Sequence, residues 1–144
     1  MKEIDWNRVW NGLSILTTPH PAFNNHAPCP VLGPGLQQGK ITVTEGTTPV
    51  QDATKSKQYI TDNNLWGHCW LYHSDTTEEE LNGVCEVFDD KELLFLYMHP
   101  KGEQHAPIKL TQPYPMLIVQ HRKLLKTHRE RLHNYPYTPD IDLD

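Results

Sequence analysis

Twelve prolines punctuate this chain, and five of them fall between Thr17 and Gly39, in TTPHPAFNNHAPCPVLGPGLQQG. Proline fixes its own φ, lacks an N–H and pushes the preceding residue out of the helical region. With three glycines interleaved, that density of breakers predicts a loop over 17–39 with no regular element of its own. It also argues against a plain helical bundle and for a fold rich in loops and edge strands. The chain has 144 residues, enough for one domain with a real core. Thirteen aromatic side chains, four Trp, six Tyr and three Phe, supply much of the apolar area.

The ordered segments are read from periodicity. Asp5 is an N-cap candidate, and Trp6, Val9, Trp10 and Leu13 recur at helical spacing, which predicts a short helix over Ile4–Leu16 that buries Trp6, Trp10 and Leu13. Lys40–Val43 begins a strand, and Glu45–Lys57 reads as polar and turn-rich. Leu65–His73 (LWGHCWLYH) reads as a strand whose aromatics pack under the two terminal helices. Ser74–Asn82 offers N-cap residues followed by acids, for a loop or one helical turn. Gly83–Phe88 and Glu92–Met98 flank Asp89-Asp90-Lys91 as a hairpin. ELLFLYM is apolar on both faces, the mark of a central strand covered on both sides. Ala106–Leu110 is a candidate return strand. Met116–Asn134 reads as a long amphipathic helix, with Leu117, Leu124, Leu125 and Leu132 along one stripe. The expected architecture is α+β: about four or five antiparallel strands, a short N-terminal helix and a long C-terminal helix. Residues 1–135 form the domain, and 136–144 an acidic mobile tail.

Charge is segregated. Asp75–Glu92 carries eight acids against one Lys, and His121–His133 carries five Lys or Arg against one Glu. Glu78, Glu79 and Glu80 on one side, and Arg122, Lys126 and Arg129 on the other, are candidate contact residues for a partner protein or a second copy of the chain. QHRKLLKTHRERL could follow a phosphate backbone, but the chain is acidic overall, with a net charge of −5, and nucleic acid is not the expected partner. Met1–Leu16 is polar, no apolar run approaches a membrane span, and the three cysteines are odd in number and widely spaced. These features place the protein in a reducing compartment without a membrane partner, the cytoplasm, a host's included.

Three constellations carry candidate chemistry. His68, Cys69, His73 and Cys85, together with His26 and Cys29 in an HxxC, are of the residue types that hold zinc. Zinc is the one cofactor the residues suggest. In a flat strand Cys69 and His73 share a face but lie about 13 Å apart, so a shared ion requires a bend. His99 and His105 flank a short loop and could face each other as an acid–base pair, with Lys101 beside them as a phosphate clamp, the logic of a metal-free nuclease. GPGLQQGK places Ile41 where a P-loop needs a hydroxyl, so it is not one.

The words His68-Cys69-Trp70-Leu71 and Gly102-Glu103-Gln104-His105-Ala106 resemble the two catalytic contexts of papain-like viral leader proteases, Asn-Cys-Trp-Leu and Gly-Gln-Glu-His-Ala. The likeness covers under a tenth of the chain. It implies a hydrolase with Cys69 as nucleophile and His105 as base, in a family that sets its nucleophile at a helix N-terminus. The expectation that weighs most is a small non-enzymatic binding or accessory protein, of the kind found among viral and phage accessory factors and immunity proteins. The acidic segment or the proline-rich loop would be its contact surface.

Overall fold

We describe residues 3–73, 75–101 and 112–131 of the computed structural model. His105, Ala106–Leu110, the 136–144 tail and the side chain of Arg129 lie outside the described residues. The fold is mixed α+β. Along the chain run α1 (Trp6–Thr17), a 3-10 turn (Pro21–Phe23), α2 (Leu32–Gln37), β1 (Ile41–Glu45), α3 (Pro49–Asp62), β2 (Gly67–Leu71), α4 (Glu78–Phe88), β3 (Leu93–Met98), β4 (Met116–His121) and α5 (Arg122–Arg131). The strand order is β1-β2-β4-β3. The sheet is mixed, not antiparallel throughout as expected: β1 and β2 are parallel, because α3 crosses over between them, and β4 is antiparallel to both its neighbours.

The sheet is covered on both faces, and the alternation of its side chains decides which residues meet which helices. Cys69, Leu71, Leu94, Met98 and Met116 join Val9, Leu13 and Leu16 of α1 with Phe23, Val31 and Leu32 in one core cluster. Trp70, Tyr72, Leu93, Phe95, Leu117 and Val119 join Ala53 and Ile60 of α3 with Leu81 and Val84 of α4 in the other. The strand expected over Leu65–His73 is therefore present. Its aromatics Trp70 and Tyr72 pack under α3 and α4, not under the terminal helices.

Six further expectations are corrected. The proline-rich segment is not structureless. Pro21–Phe23 forms a 3-10 turn, closed by Asn24 and Asn25 at φ 53° and 64°, and a bridge joins His20 to His26. Pro34 sits in the first turn of α2, where an N–H has no intrahelical acceptor to lose. Phe23 and Val31 are fully buried, so this stretch builds core.

Second, the polar Glu45–Lys57 stretch is mostly helix. Thr48 caps α3 through Oγ1, which accepts from Gln51 N, and Pro49 opens the first turn. Third, Gly83–Phe88 is the second half of α4, not a hairpin strand. Thr77 Oγ1 accepts from Glu80 N, and Glu78, Glu79 and Glu80 lie in the first turn, where carboxylates suit the positive helix end.

Fourth, Met116–Asn134 is not one long helix. Met116–His121 is an inner strand, and a ten-residue helix starts at Arg122. Consequently Arg122 is not a surface cation. It is 6% exposed, pairs with Asp89, and donates through Nη2 to Asp90 O at 3.1 Å. The acidic and basic segments thus meet within the chain. Arg122→Ala should cost about 1–3 kcal/mol, the range for losing a charged hydrogen-bonding group. Urea unfolding checks this; a change within about 0.5 kcal/mol is the surface-residue outcome and contradicts it.

Fifth, β3, expected at the sheet's centre, is the last strand of the sheet among the described residues. In addition, the outer stripe of α1 is not core. Asp5 caps it, with Oδ1 accepting from Arg8 N, and Val9, Leu13 and Leu16 are buried. Trp6 and Trp10 are 38% and 47% exposed. They flank the buried stripe instead of forming it.

Candidate functional site

The sequence candidates fall on different layers of the molecule. Cys69 points toward α1 and α2, is 1% exposed, and has its thiol pushed up to about 12, first by burial and then by neighbouring Cys29. A thiol so placed is held protonated and shielded from solvent. Cys29 packs against the same core cluster. Both cysteines line an apolar cavity of about 20 Å³ with Leu16, Leu32, Ile41 and Met116. Cys85 sits half-buried on α4, and its thiol is also pushed up to about 12, by burial and then by Asp89 and Glu86.

His68 projects from the opposite face to Cys69, as strand alternation requires. Its ring is fully buried between Tyr59, at 4.8 Å between centroids, and Trp70, at 4.2 Å. Thr42 Oγ1 bonds Nδ1 and Thr44 Oγ1 bonds Nε2, so both nitrogens are occupied. Burial, and secondarily the charge of Lys55, lowers its pKa to about 4 and holds it neutral. His73 leaves the end of β2 and pairs through Nε2 with Glu45 at 2.9 Å, at a half-exposed position. His99 is 7% exposed. Its Nε2 donates to Thr76 O at 2.8 Å and its Nδ1 accepts from Lys101 N at 3.1 Å. Both ring nitrogens are thus engaged by backbone groups. His26 lies in the turn after Pro21–Phe23, its carbonyl accepting from His20 N. Among the described residues, no three His, Cys, Asp or Glu side chains converge in a way that could hold a metal ion.

Of the charged candidates, Glu78 accepts from the Tyr97 hydroxyl at 3.0 Å, and Glu79 and Glu80 are exposed on the first turn of α4. Lys126 is half-buried on α5. Glu78 thus ties α4 to β3, and all three glutamates stand at the positive end of α4.

Two features were not assigned as sites from sequence. One is a polar network beneath α3. Asp52 is completely buried, and its Oδ2 accepts from Tyr72 OH at 2.8 Å and from Thr47 N at 2.9 Å. Lys55 Nζ stands 3.3 Å from Oδ1, which takes no hydrogen bond. Ser56 accepts from Trp70 Nε1 and donates to Asp52 O. Gly46 is required here, because a Cβ at that position would collide with Asp52 Oδ2 and come within 2.6 Å of the Tyr72 ring. The network locks the start of α3 onto the ends of β1 and β2.

The other feature is the outer surface of α1. The Trp6 and Trp10 rings, one turn apart, lie 6.3 Å apart at 33°. Ile15, on another part of the same helix, is 44% exposed. The helix is held rigidly beneath them: Asp5 N donates to Tyr114 OH at 3.0 Å, Arg8 lies over the Tyr114 ring, and Gln112 Nε2 donates to Gly12 O. Beside it runs a cleft of about 430 Å³ lined by Arg8, Asn11, Pro100, Gln112 and Pro113. The sequence signal was a four-residue spacing of two tryptophans, which core and surface positions share.

No helix among the described residues is long and apolar enough to cross a membrane. No protein-family model matches the chain, and neither a characterised protein nor a solved structure matches it.

Proposed function

We propose that this chain is a non-enzymatic binding protein that takes a short apolar segment of a partner protein on the outer surface of α1. The observation that carries this reading is the exposed Trp6–Trp10 pair on a helix whose inner stripe is fully packed. Tryptophan is the residue most enriched at the energetic centres of interfaces, because one rigid ring desolvates a large area at little entropic cost. Scattered exposed apolar residues need no explanation, but two adjacent tryptophans on an anchored helix form a preorganised platform. The size of the platform favours a peptide over a folded partner. A helix of 12 residues is about 18 Å long and about 10 Å across, so the face it presents, roughly 200 Å², falls far short of the roughly 800 Å² per side of a stable protein–protein interface.

The binding reading also agrees with what surrounds the hydrolase candidates. Cys69 is sealed in the core, and both nitrogens of His99 are committed to backbone groups.

The test is selection from a displayed random-peptide library, with wild-type protein and Trp6→Ala/Trp10→Ala protein in parallel. Wild type should enrich apolar or aromatic peptides that lose at least about tenfold in affinity on the double variant, as expected where hot-spot tryptophans are truncated. Peptides that bind both proteins equally, or no enrichment at all, would overturn the reading. Far-UV circular dichroism of the variant confirms that α1 remains folded.

A further inference from the structure

Of the three cysteines, two lie on the same side of the sheet. Cys69, on β2, belongs to the core cluster beneath α1 and α2, and Cys29, in the proline-rich segment, packs against that same cluster. Cys85, on α4, packs against the cluster on the other face, so the sheet separates it from both. Cys29 and Cys69 also border one apolar cavity of about 20 Å³. An apolar void stays dry, so a sulfur that turns into it displaces no bound water.

Both backbones are anchored. The Cys29 N–H donates to Leu16 O at 2.9 Å, tying the segment to the end of α1, and Cys69 lies in register with Val43 and Ile118 between two strands. Bringing the sulfurs together is therefore a matter of side-chain rotation into the shared void. Electrostatics report their proximity: the charge of an ionised Cys29 is the second cause, after burial, that raises the Cys69 thiol. Exposure sets the order of events. Cys29 is half-buried and Cys69 is buried, so an oxidant meets Cys29 first.

We propose that Cys29 and Cys69 are a redox pair, which a small disulfide converts to an intramolecular disulfide that pins the proline-rich segment to β2. The Cys29 sulfur attacks the small disulfide, RSSR. A Cys29–S–S–R bond forms, the bond between the two sulfurs of RSSR breaks, and one RSH leaves with the Cys29 proton. The Cys69 sulfur then attacks the Cys29 sulfur, forming the Cys29–Cys69 bond and expelling a second RSH, which carries the Cys69 proton. The two cysteines give up two electrons, RSSR takes them, and excess RSH reverses both steps. Burial makes the second step the slow one, because the thiolate is the attacking form and Cys69 is held protonated. The product needs its Cβ atoms about 4 Å apart, an approach for which the shared void leaves room. Where thiols are kept reduced, such a bond forms transiently and reports oxidation.

The test incubates the folded, reduced full chain with oxidised glutathione in the absence of denaturant. The sample is then quenched in acid, alkylated in denaturant, digested and mapped by mass spectrometry. The expected product is a single chain with a Cys29–Cys69 linked peptide and an alkylated Cys85, which returns to the reduced form in excess dithiothreitol. The Cys85→Ser protein should give the same link. Because the bond closes a loop that holds α2, β1 and α3, the oxidised protein should melt roughly 10 °C above the reduced one. A Cys29–glutathione adduct that persists beside an alkylated Cys69, a link that involves Cys85, or no link at all would overturn the proposal. An oxidised protein that melts no higher than the reduced one would overturn it as well, since the link would then be foreign to the native fold.

Discussion

Acid should weaken this protein through a single buried side chain. Lowering the pH from 6.5 to about 4 is expected to remove about 3 kcal/mol of folding stability through His68, whose pKa falls from 6.5 to about 4 on folding, at about 1.4 kcal/mol per pH unit. The sign follows from linkage. The unfolded chain protonates His68 near 6.5 while the folded chain still excludes the proton, so between those values the unfolded state binds more protons. The contribution is complete above pH 6.5, falls away as the pH drops, and is gone below about 4. The cause is mainly desolvation: the ring is enclosed by Tyr59, Trp70, Thr42 and Thr44, with the Lys55 ammonium adding a smaller repulsion. The threonine hydroxyls can accept from either ring nitrogen, so a lack of acceptors is not what resists the proton. Urea unfolding at a series of pH values, on wild type and His68→Gln, measures this. The variant should show a flatter slope between pH 6.5 and 4 whatever its absolute stability, and equal slopes would sink the assignment.

A loss of comparable size should follow from Leu117→Ala. Leu117 is fully buried on β4, in register with Trp70 of β2 and Tyr97 of β3. Its neighbours on both sides are fixed strands, so the space it leaves cannot collapse easily. Truncations of this kind cost about 2–5 kcal/mol, the larger values where the cavity persists. For a domain of this size that corresponds to a fall of roughly 10 °C in Tm. Val87→Ala is the contrasting substitution, because Val87 is 78% exposed on α4, and it should change stability by less than about 0.5 kcal/mol. Similar melting temperatures for the two variants would mean that Leu117 does not lie in the inner layer.

The elements that sequence reading recovered are those whose local chemistry and tertiary setting agree. Asp5 and the Val9, Leu13, Leu16 spacing mark α1, and the alternation around Cys69 and Trp70 marks β2. It failed where polar residues occupy inner positions. In α3 the buried stripe includes Asp52 and Ser56, so the helical period is invisible to hydrophobicity. In α4 the run GVCEVF has strand-like residues, and the Thr77 cap with its three acids outweighs them. At the β4–α5 junction no glycine or proline separates Gln120 from Lys123. Leu117 therefore lines up with Leu124 and Leu125 as if one helix ran through. For β3 the apolar character was read correctly, but its place as the last strand of the sheet among the described residues is a matter of chain topology, which local pattern does not encode.

The candidate chemistry was legible to the same degree. Strand alternation correctly set His68 and Cys69 on opposite faces. That both are sealed, one by threonines and aromatics and the other by α1 and the proline-rich segment, depends on elements distant in sequence. Trp6 and Trp10 sit at the border of the inner stripe of α1, where spacing alone does not separate core from surface.

The four tryptophans offer the most direct test of the binding reading, because they divide between the platform and the interior. Trp6 and Trp10 lie on the outer face of α1, Trp66 is half-buried beside His128, and the Trp70 indole N–H is held by Ser56. The measurement is an NMR titration of the indole N–H signals with the tightest selected peptide. The expected result is a saturable shift of the Trp6 and Trp10 signals while that of Trp70 stays in place. A peptide that binds and leaves Trp6 and Trp10 unmoved would contradict the claim that the outer surface of α1 is where this protein makes its contacts.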